Sequence, residues 1–135
     1  MGFMHEMYSG ENAPQIGDRV KVKVRSGEYA GEIAELHGPR AVVSILAVLK
    51  HPEQGDLHHP YNPDVPMFHE RRALSYTEKT TVLVRELAPY RAELPAYSDS
   101  LREAVKAELA SLDRLNRWSG KALENLEQLQ KEYKL

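Results

Sequence analysis

The sequence predicts a mainly β chain with α: an SH3-like small β-barrel followed by a C-terminal helical hairpin. Three observations carry this. Valine alternates with charge at period two in Arg19-Val20-Lys21-Val22-Lys23-Val24, the signature of a half-buried strand. Ala41 to Leu49 reads AVVSILAVL, apolar on both faces, as suits a central strand crossing a small barrel. From Ser100 onward, leucines and alanines recur at helical spacing.

Taken in order, residues 1–15 (MGFMHEMYSGENAPQ) form a flexible leader with no basic region and no apolar stretch, so they do not make a secretory signal. Residues 16–90 form the barrel. After the Val-rich strand, Gly27 marks a turn and Glu28 to Leu36 is a second strand, with Gly31 permitting a bulge or close backbone approach. Gly38-Pro39 turns the chain into the apolar third strand. Met67 to Tyr76 and Thr80 to Val84 supply two more, and five short strands at this spacing favour the barrel over an open meander.

Residues 91–135 are the helical segment, folded back on the barrel. Leu94-Pro95-Ala96-Tyr97 breaks the chain, and Ser100 with Glu103 has the spacing of a capping box. Leu101, Ala104, Val105, Leu109 and Leu112 share one face. The pattern is interrupted around Asn116 to Gly120, and a second helix starts near Ser119 with Ala122, Leu123, Leu126, Leu129 and Tyr133 as its stripe.

Composition narrows the function. The chain has no cysteine, which removes disulfides, thiolate metal sites and a cysteine nucleophile, and suits a cytoplasmic location. No run of about 18 apolar residues is present, so direct membrane insertion is not expected. The net charge is −2, and from Ser75 on ten basic residues balance ten acidic ones. Without a basic stripe to displace counterions, nucleic acid is not the expected partner. There is no phosphate-binding glycine loop and no Gly-x-Ser-x-Gly elbow. Every histidine precedes the helical half, so that half is no histidine phosphotransfer unit. No enzyme activity, catalytic residue or cofactor is expected.

The candidate functional segment is the proline-rich loop, residues 50–67, with its flank to Leu74. It holds four of the six histidines (His51, His58, His59, His69) and the prolines Pro52, Pro60, Pro63 and Pro66. Each proline fixes φ near about −65° and pushes its predecessor toward extended geometry, so an ordered excursion is expected. Tyr61 and Phe68 supply anchor area if they point outward. Together with His51, Asp56, His58 and His69 they are the candidate partner-binding residues, while Glu70 and Arg71 are candidate anchors of the loop.

Other chemistries are possible here in principle. The histidines with Asp56 and Glu70 are a plausible zinc or manganese set. However, adjacent His58 and His59 point to opposite sides of an extended chain, and no H-x-H or H-x-x-x-H pair exists, so no metal is expected. His69 or Glu70 as general base beside Arg71 and Arg72 would make a small-anion site with hydrolase or sensing activity. The simpler role for Arg71 is pairing with Asp56 or another carboxylate to pin the loop. Gly27-Glu28-Tyr29-Ala30-Gly31 also resembles the Gly-x-Tyr-x-Gly turn of KOW-type barrels, several of which bind RNA; lacking basic surroundings, it reads as barrel geometry.

Several strings go further. Val48-Leu49-Lys50-His51-Pro52, Gln54-Gly55-Asp56-Leu57-His58, Phe68-His69-Glu70-Arg71-Arg72-Ala73-Leu74, the Gly27 to Glu32 turn and the closing Lys131 to Leu135 (KEYKL) resemble the kinase-associated protein B family of spore-forming Firmicutes. The likeness runs from about Ile16 to Leu135. It implies an SH3-like barrel with a helical tail, and an accessory role to a membrane sporulation sensor histidine kinase that feeds the phosphorelay. It transfers no catalytic motif. The family name has carried the word lipoprotein; with no cysteine in this sequence, a thioether-linked lipid is ruled out, and membrane contact would come through the partner. The loop, or a leucine stripe of the helical half laid into the kinase's coiled coil, would be the docking element.

Overall fold

The computed structural model describes residues 13–135. Most of the expected leader therefore lies outside the described residues. Five antiparallel strands and one long helix follow: β1 (Arg19–Val24), β2 (Gly27–His37), β3 (Arg40–Lys50), β4 (Lys79–Leu83), β5 (Ala88–Pro89) and α1 (Tyr97–Tyr133). The sheet order is β4-β3-β2-β1-β5. The first three strands are the ones the sequence marks, to within a residue at each end.

β1 and β2 are joined by a two-residue turn, with Val24 opposite Gly27. Arg25 and Ser26 both have positive φ, 46° and 72°, the backbone that matches strand twist in a tight hairpin. Neither is glycine, so the turn is strained. β2 and β3 shift register between Ala30 and Gly31. A Cβ on Gly31 would lie 2.6 Å from the Ser44 carbonyl oxygen, so only glycine allows β2 to press this closely on β3.

β4 and β5 are the two edges, and their ladder does not close. They are nevertheless linked by the 3₁₀ turn Val84–Glu86 and Leu87. From Leu83 to Ala88 the chain reaches at most about 17 Å, whereas the outer strands of a flat five-stranded sheet stand about 19 Å apart. The 3₁₀ turn, rising about 2 Å per residue, shortens the reach further. The sheet must curl. Its concave face encloses Val20, Val22, Tyr29, Ile33, Val43, Ile45 and Leu87, all buried. The result is a mainly β fold with α, compatible with a small barrel.

Two expectations need correction. Met67 to Tyr76 is not a strand; the backbone of Arg71 and Leu74 bonds to side chains instead of a ladder partner, and the fifth strand is the two-residue Ala88–Pro89 beside β1. The helical hairpin is one continuous helix of 37 residues. A glycine inside a helix costs only about 1 kcal/mol, too little to force a turn at Gly120. Arg117 reaches back one turn to Asp113 at 2.9 Å, and the Ser119 hydroxyl donates to the Asn116 carbonyl at 2.9 Å, so this stretch is stitched as helix.

α1 also starts earlier than the Ser100 signature suggested, with Ala96 at its N-cap. Ser100 is buried within the first turns. Its hydroxyl accepts the Val48 amide of β3 at 2.9 Å and donates to the Tyr97 carbonyl at 2.7 Å. With Ala104 buried and Leu101 packed on the core, this fastens the helix to the barrel. Steps of four and three then run the length of α1 through Leu101, Val105, Glu108, Leu112, Leu115, Ser119, Ala122, Leu126, Leu129 and Tyr133. That is the heptad spacing of a coiled-coil seam. Beyond Glu108 its large apolar members are exposed.

Candidate functional site

The loop between β3 and β4 is ordered by bonds between side chains and backbone. Asp56 Oδ1 accepts the His58 amide at 2.9 Å, and its Oδ2 faces His59 Nδ1 at 3.1 Å. The His59 imidazole, then the His58 amide, hold the Asp56 carboxyl below its usual range. Asn62 Oδ1 accepts the Asp64 amide at 2.9 Å, a second turn of the same kind. Gly55 has φ 91°, and a Cβ there would strike the Phe68 ring at 2.8 Å. The Gly55 amide donates to the His69 carbonyl at 2.9 Å, which closes the loop at its neck.

Gln54 is the centre of that neck. Its Oε1 accepts the Arg71 amide at 2.8 Å, and its Nε2 donates to the Arg71 carbonyl at 3.0 Å. The Arg71 guanidinium donates to the Glu53 carbonyl at 2.9 Å, so its partner is backbone and not the Asp56 carboxylate. The Glu53 amide in turn donates to Ser26 Oγ at 2.9 Å, joining the loop to the strained β1–β2 turn. Glu70 is exposed, with Arg72 at 3.8 Å.

The loop's exit is held by two tyrosines. Tyr29 of β2 accepts the Leu74 amide at 3.2 Å, and the Tyr97 hydroxyl of α1 donates to the Leu74 carbonyl. Burial raises the Tyr29 hydroxyl above its ordinary value, and the Leu74 amide opposes that. Burial likewise raises Tyr97, helped by Tyr29 and Glu78. Tyr29 is 1% exposed, so its ring is not offered for stacking on a base as an RNA-binding turn would require.

Two grooves open between loop and helix. The larger, about 910 Å³, runs from Asp56, Pro60, Tyr61 and Phe68 across to Glu108, Ser111, Leu112 and Leu115. The smaller, about 670 Å³, lies between His51, Glu70, Arg71 and Arg72 on one side and Tyr97, Leu101 and Val105 on the other. Gln54, Glu108 and Leu112 line both, so the Gln54–Arg71 strap stands at their divide. Among the sequence candidates, Asp56, Tyr61 and Phe68 meet at the larger groove, and His51, Glu70 and Arg71 at the smaller. His58 and His69 line neither. Tyr61 is 79% and Phe68 59% exposed.

His51 Nδ1 lies 2.9 Å from the Pro52 carbonyl oxygen, and among the described residues no three of His, Asp and Glu converge as a metal set would. Of the anion-site candidates, Glu70, Arg71 and Arg72 line the smaller groove, but His69 does not. Sequence reasoning missed Gln54 and the helix wall of Glu108, Ser111, Leu112 and Leu115. The heptad spacing was the available signal for the wall; nothing local marks Gln54.

Comparison with known proteins agrees with this architecture. A family model described as Kinase associated protein B matches residues 24–134. Kinase-associated lipoprotein B of Bacillus subtilis (strain 168) is 44% identical over 120 residues, spanning 88% of this chain and 94% of that protein. The crystal structure of kinase-associated protein B from Bacillus cereus is similar with a TM-score of 0.63 at 33% identity, covering 90% of this chain and 99% of that one. Sequence, fold and coverage together place the chain in the kinase-associated protein B family.

Proposed function

We propose that this protein is a non-enzymatic accessory factor that binds the cytoplasmic part of a membrane sporulation sensor histidine kinase and promotes its activity, and so feeds the phosphorelay. Its relatives are named for association with a kinase, which supports an accessory role beside one. The observation that carries the docking reading is the loop. It is held by its own side chains, yet it turns Tyr61 and Phe68 outward beside an apolar groove. Rigid exposed aromatics are what a partner-binding surface needs, because they bury large area at little entropic cost.

In this reading Tyr61 and Phe68 are the anchors, and His51, Asp56, His58 and His69 are the polar surround. Arg71 keeps the loop in place through the Glu53 carbonyl, whereas Glu70 stands exposed beside Arg72. The kinase, in this reading, brings the protein to the bilayer; among the described residues no helix is long and apolar enough to cross a membrane. Activation requires only that the protein bind the kinase's active arrangement better than the inactive one, by about 1–3 kcal/mol.

The test is the autophosphorylation rate of the kinase's cytoplasmic portion with and without this protein at micromolar concentration. The expected result is a saturable rise that Tyr61→Ala and Phe68→Ala each shift to higher concentration. No rise and no co-purification would refute direct activation.

A further inference from the structure

We infer that α1 is a self-association element, through which two copies of this chain pair as an antiparallel coiled coil. From Leu109 to Tyr133 the helix runs for about 37 Å. Its large apolar side chains there are between 37% and 68% exposed. The occupant is specified by symmetry. About a point between Gly120 and Lys121, Leu112 mirrors Leu129, Leu115 mirrors Leu126, and Ser119 mirrors Ala122. An antiparallel second copy places each residue opposite its mirror, which gives four leucine layers around a narrow waist of small residues.

The ends agree. Glu108, the last seam position before the free stretch, mirrors Tyr133, the last residue of the helix. The second copy's helix therefore ends where the first copy's barrel begins to cover the seam, beside the grooves under the loop. A parallel pair is blocked, because each barrel sits on the seam face of its own helix, in the partner's path. Polar groups at the contact are compatible. The Ser119 hydroxyl is already bonded to the Asn116 carbonyl, so burying it strands no donor. Of the positions flanking the free seam only Glu132 is charged; it comes level with Leu109, next to Glu108, so carboxylates approach one another only at the two ends of the seam and none faces the leucine layers. None of this depends on the kinase reading.

Sedimentation equilibrium of the full chain at tens of micromolar tests it, together with disulfide mapping in this cysteine-free background. A species of twice 15.4 kDa is expected, reduced to the single mass by Leu126→Glu with the barrel's melting unchanged. Mixed S119C and A122C variants should form an intermolecular disulfide readily, whereas L112C should not link to itself, since the two copies would lie about 25 Å apart at that position. A monomer throughout the concentration range would overturn the inference and leave the stripe for a different protein. Ready self-linking of L112C would overturn it equally, by requiring parallel chains.

Discussion

Gln54 and Arg71 meet as two strands would, although no strand is there. One side-chain amide accepts the Arg71 N–H at 2.8 Å and donates to its carbonyl at 3.0 Å, replacing a ladder partner. Gln54→Ala removes both bonds to Arg71 and a third from Nε2 to the Pro52 carbonyl at 3.1 Å, and water replaces them only in part. The expected loss is about 1–2 kcal/mol, at roughly 1 kcal/mol per bond. Urea unfolding measures it, and the Arg71 amide should exchange hydrogen faster. Arg71→Ala should be destabilising while leaving partner binding measurable; loss of binding at unchanged stability would assign Arg71 to the contact.

Ser100→Ala tests the helix attachment. It leaves the Val48 amide buried with no acceptor, at a cost of about 1–3 kcal/mol. Alanine's better helix propensity returns about 0.5 kcal/mol. The net destabilisation should appear in barrel and helix together, because the lost bond joins them. A stability unchanged from the parent would show that Ser100 is not the fastening.

The Tyr97 half of the Leu74 fastening should fail at alkaline pH, whereas Tyr29, an acceptor, keeps its bond when ionised. Both hydroxyls titrate above the ordinary value of 10.0 in the folded chain. The fold favours their neutral forms, so this stability is complete below about pH 10 and is lost as pH rises through the raised folded values. Tyr97 then has no proton to donate to the Leu74 carbonyl. Unfolding followed by circular dichroism should show the decline, and Tyr29→Phe with Tyr97→Phe should remove it while lowering stability at neutral pH.

Asp56 predicts the opposite limb. Its folded value is depressed, chiefly by His59, so the contribution is present above about pH 4 and is lost as pH falls through the lower folded value. The His58 amide, which bonds Asp56, should lose exchange protection in that window. Asp56→Asn keeps an acceptor but has no such titration, and its His58 amide should show no acid transition.

What could be read beforehand follows from the range of the forces involved. β1 was legible to the residue because alternation is local and repeated. The Met67 to Tyr76 segment misled because it too looks extended, while Arg71 and Leu74 bond to the side chains of Gln54, Tyr29 and Tyr97, a pairing no periodicity encodes. β5 was missed since two residues, one of them Pro89, carry no pattern. Asn116 to Gly120 looked like a break because its one seam position holds the small Ser119, followed by Ala122, and small seam residues mark a narrow interface as readily as a turn. For the site, the proline spacing and the presence of Tyr61 and Phe68 in the loop were readable, but not which way those two rings point. Its helix wall was readable only as part of an apolar stripe; that Leu112 and Leu115 face the loop follows once Ser100 has set the helix on β3.

That attachment gives the molecule a mechanical asymmetry. α1 is gripped for about 18 Å, from Tyr97 to Glu108, and extends about twice as far beyond it. It is a lever whose fulcrum lies beside the Gln54–Arg71 strap. A tilt that moves the gripped end by an ångström sweeps the far end by about two, and a load applied near Tyr133 returns to β3 as torque on the Ser100–Val48 bond. A partner closing on Tyr61 and Phe68 would bear on the same fulcrum, so the loop and the distant tip of the helix would feel each other's occupancy without a contact between them.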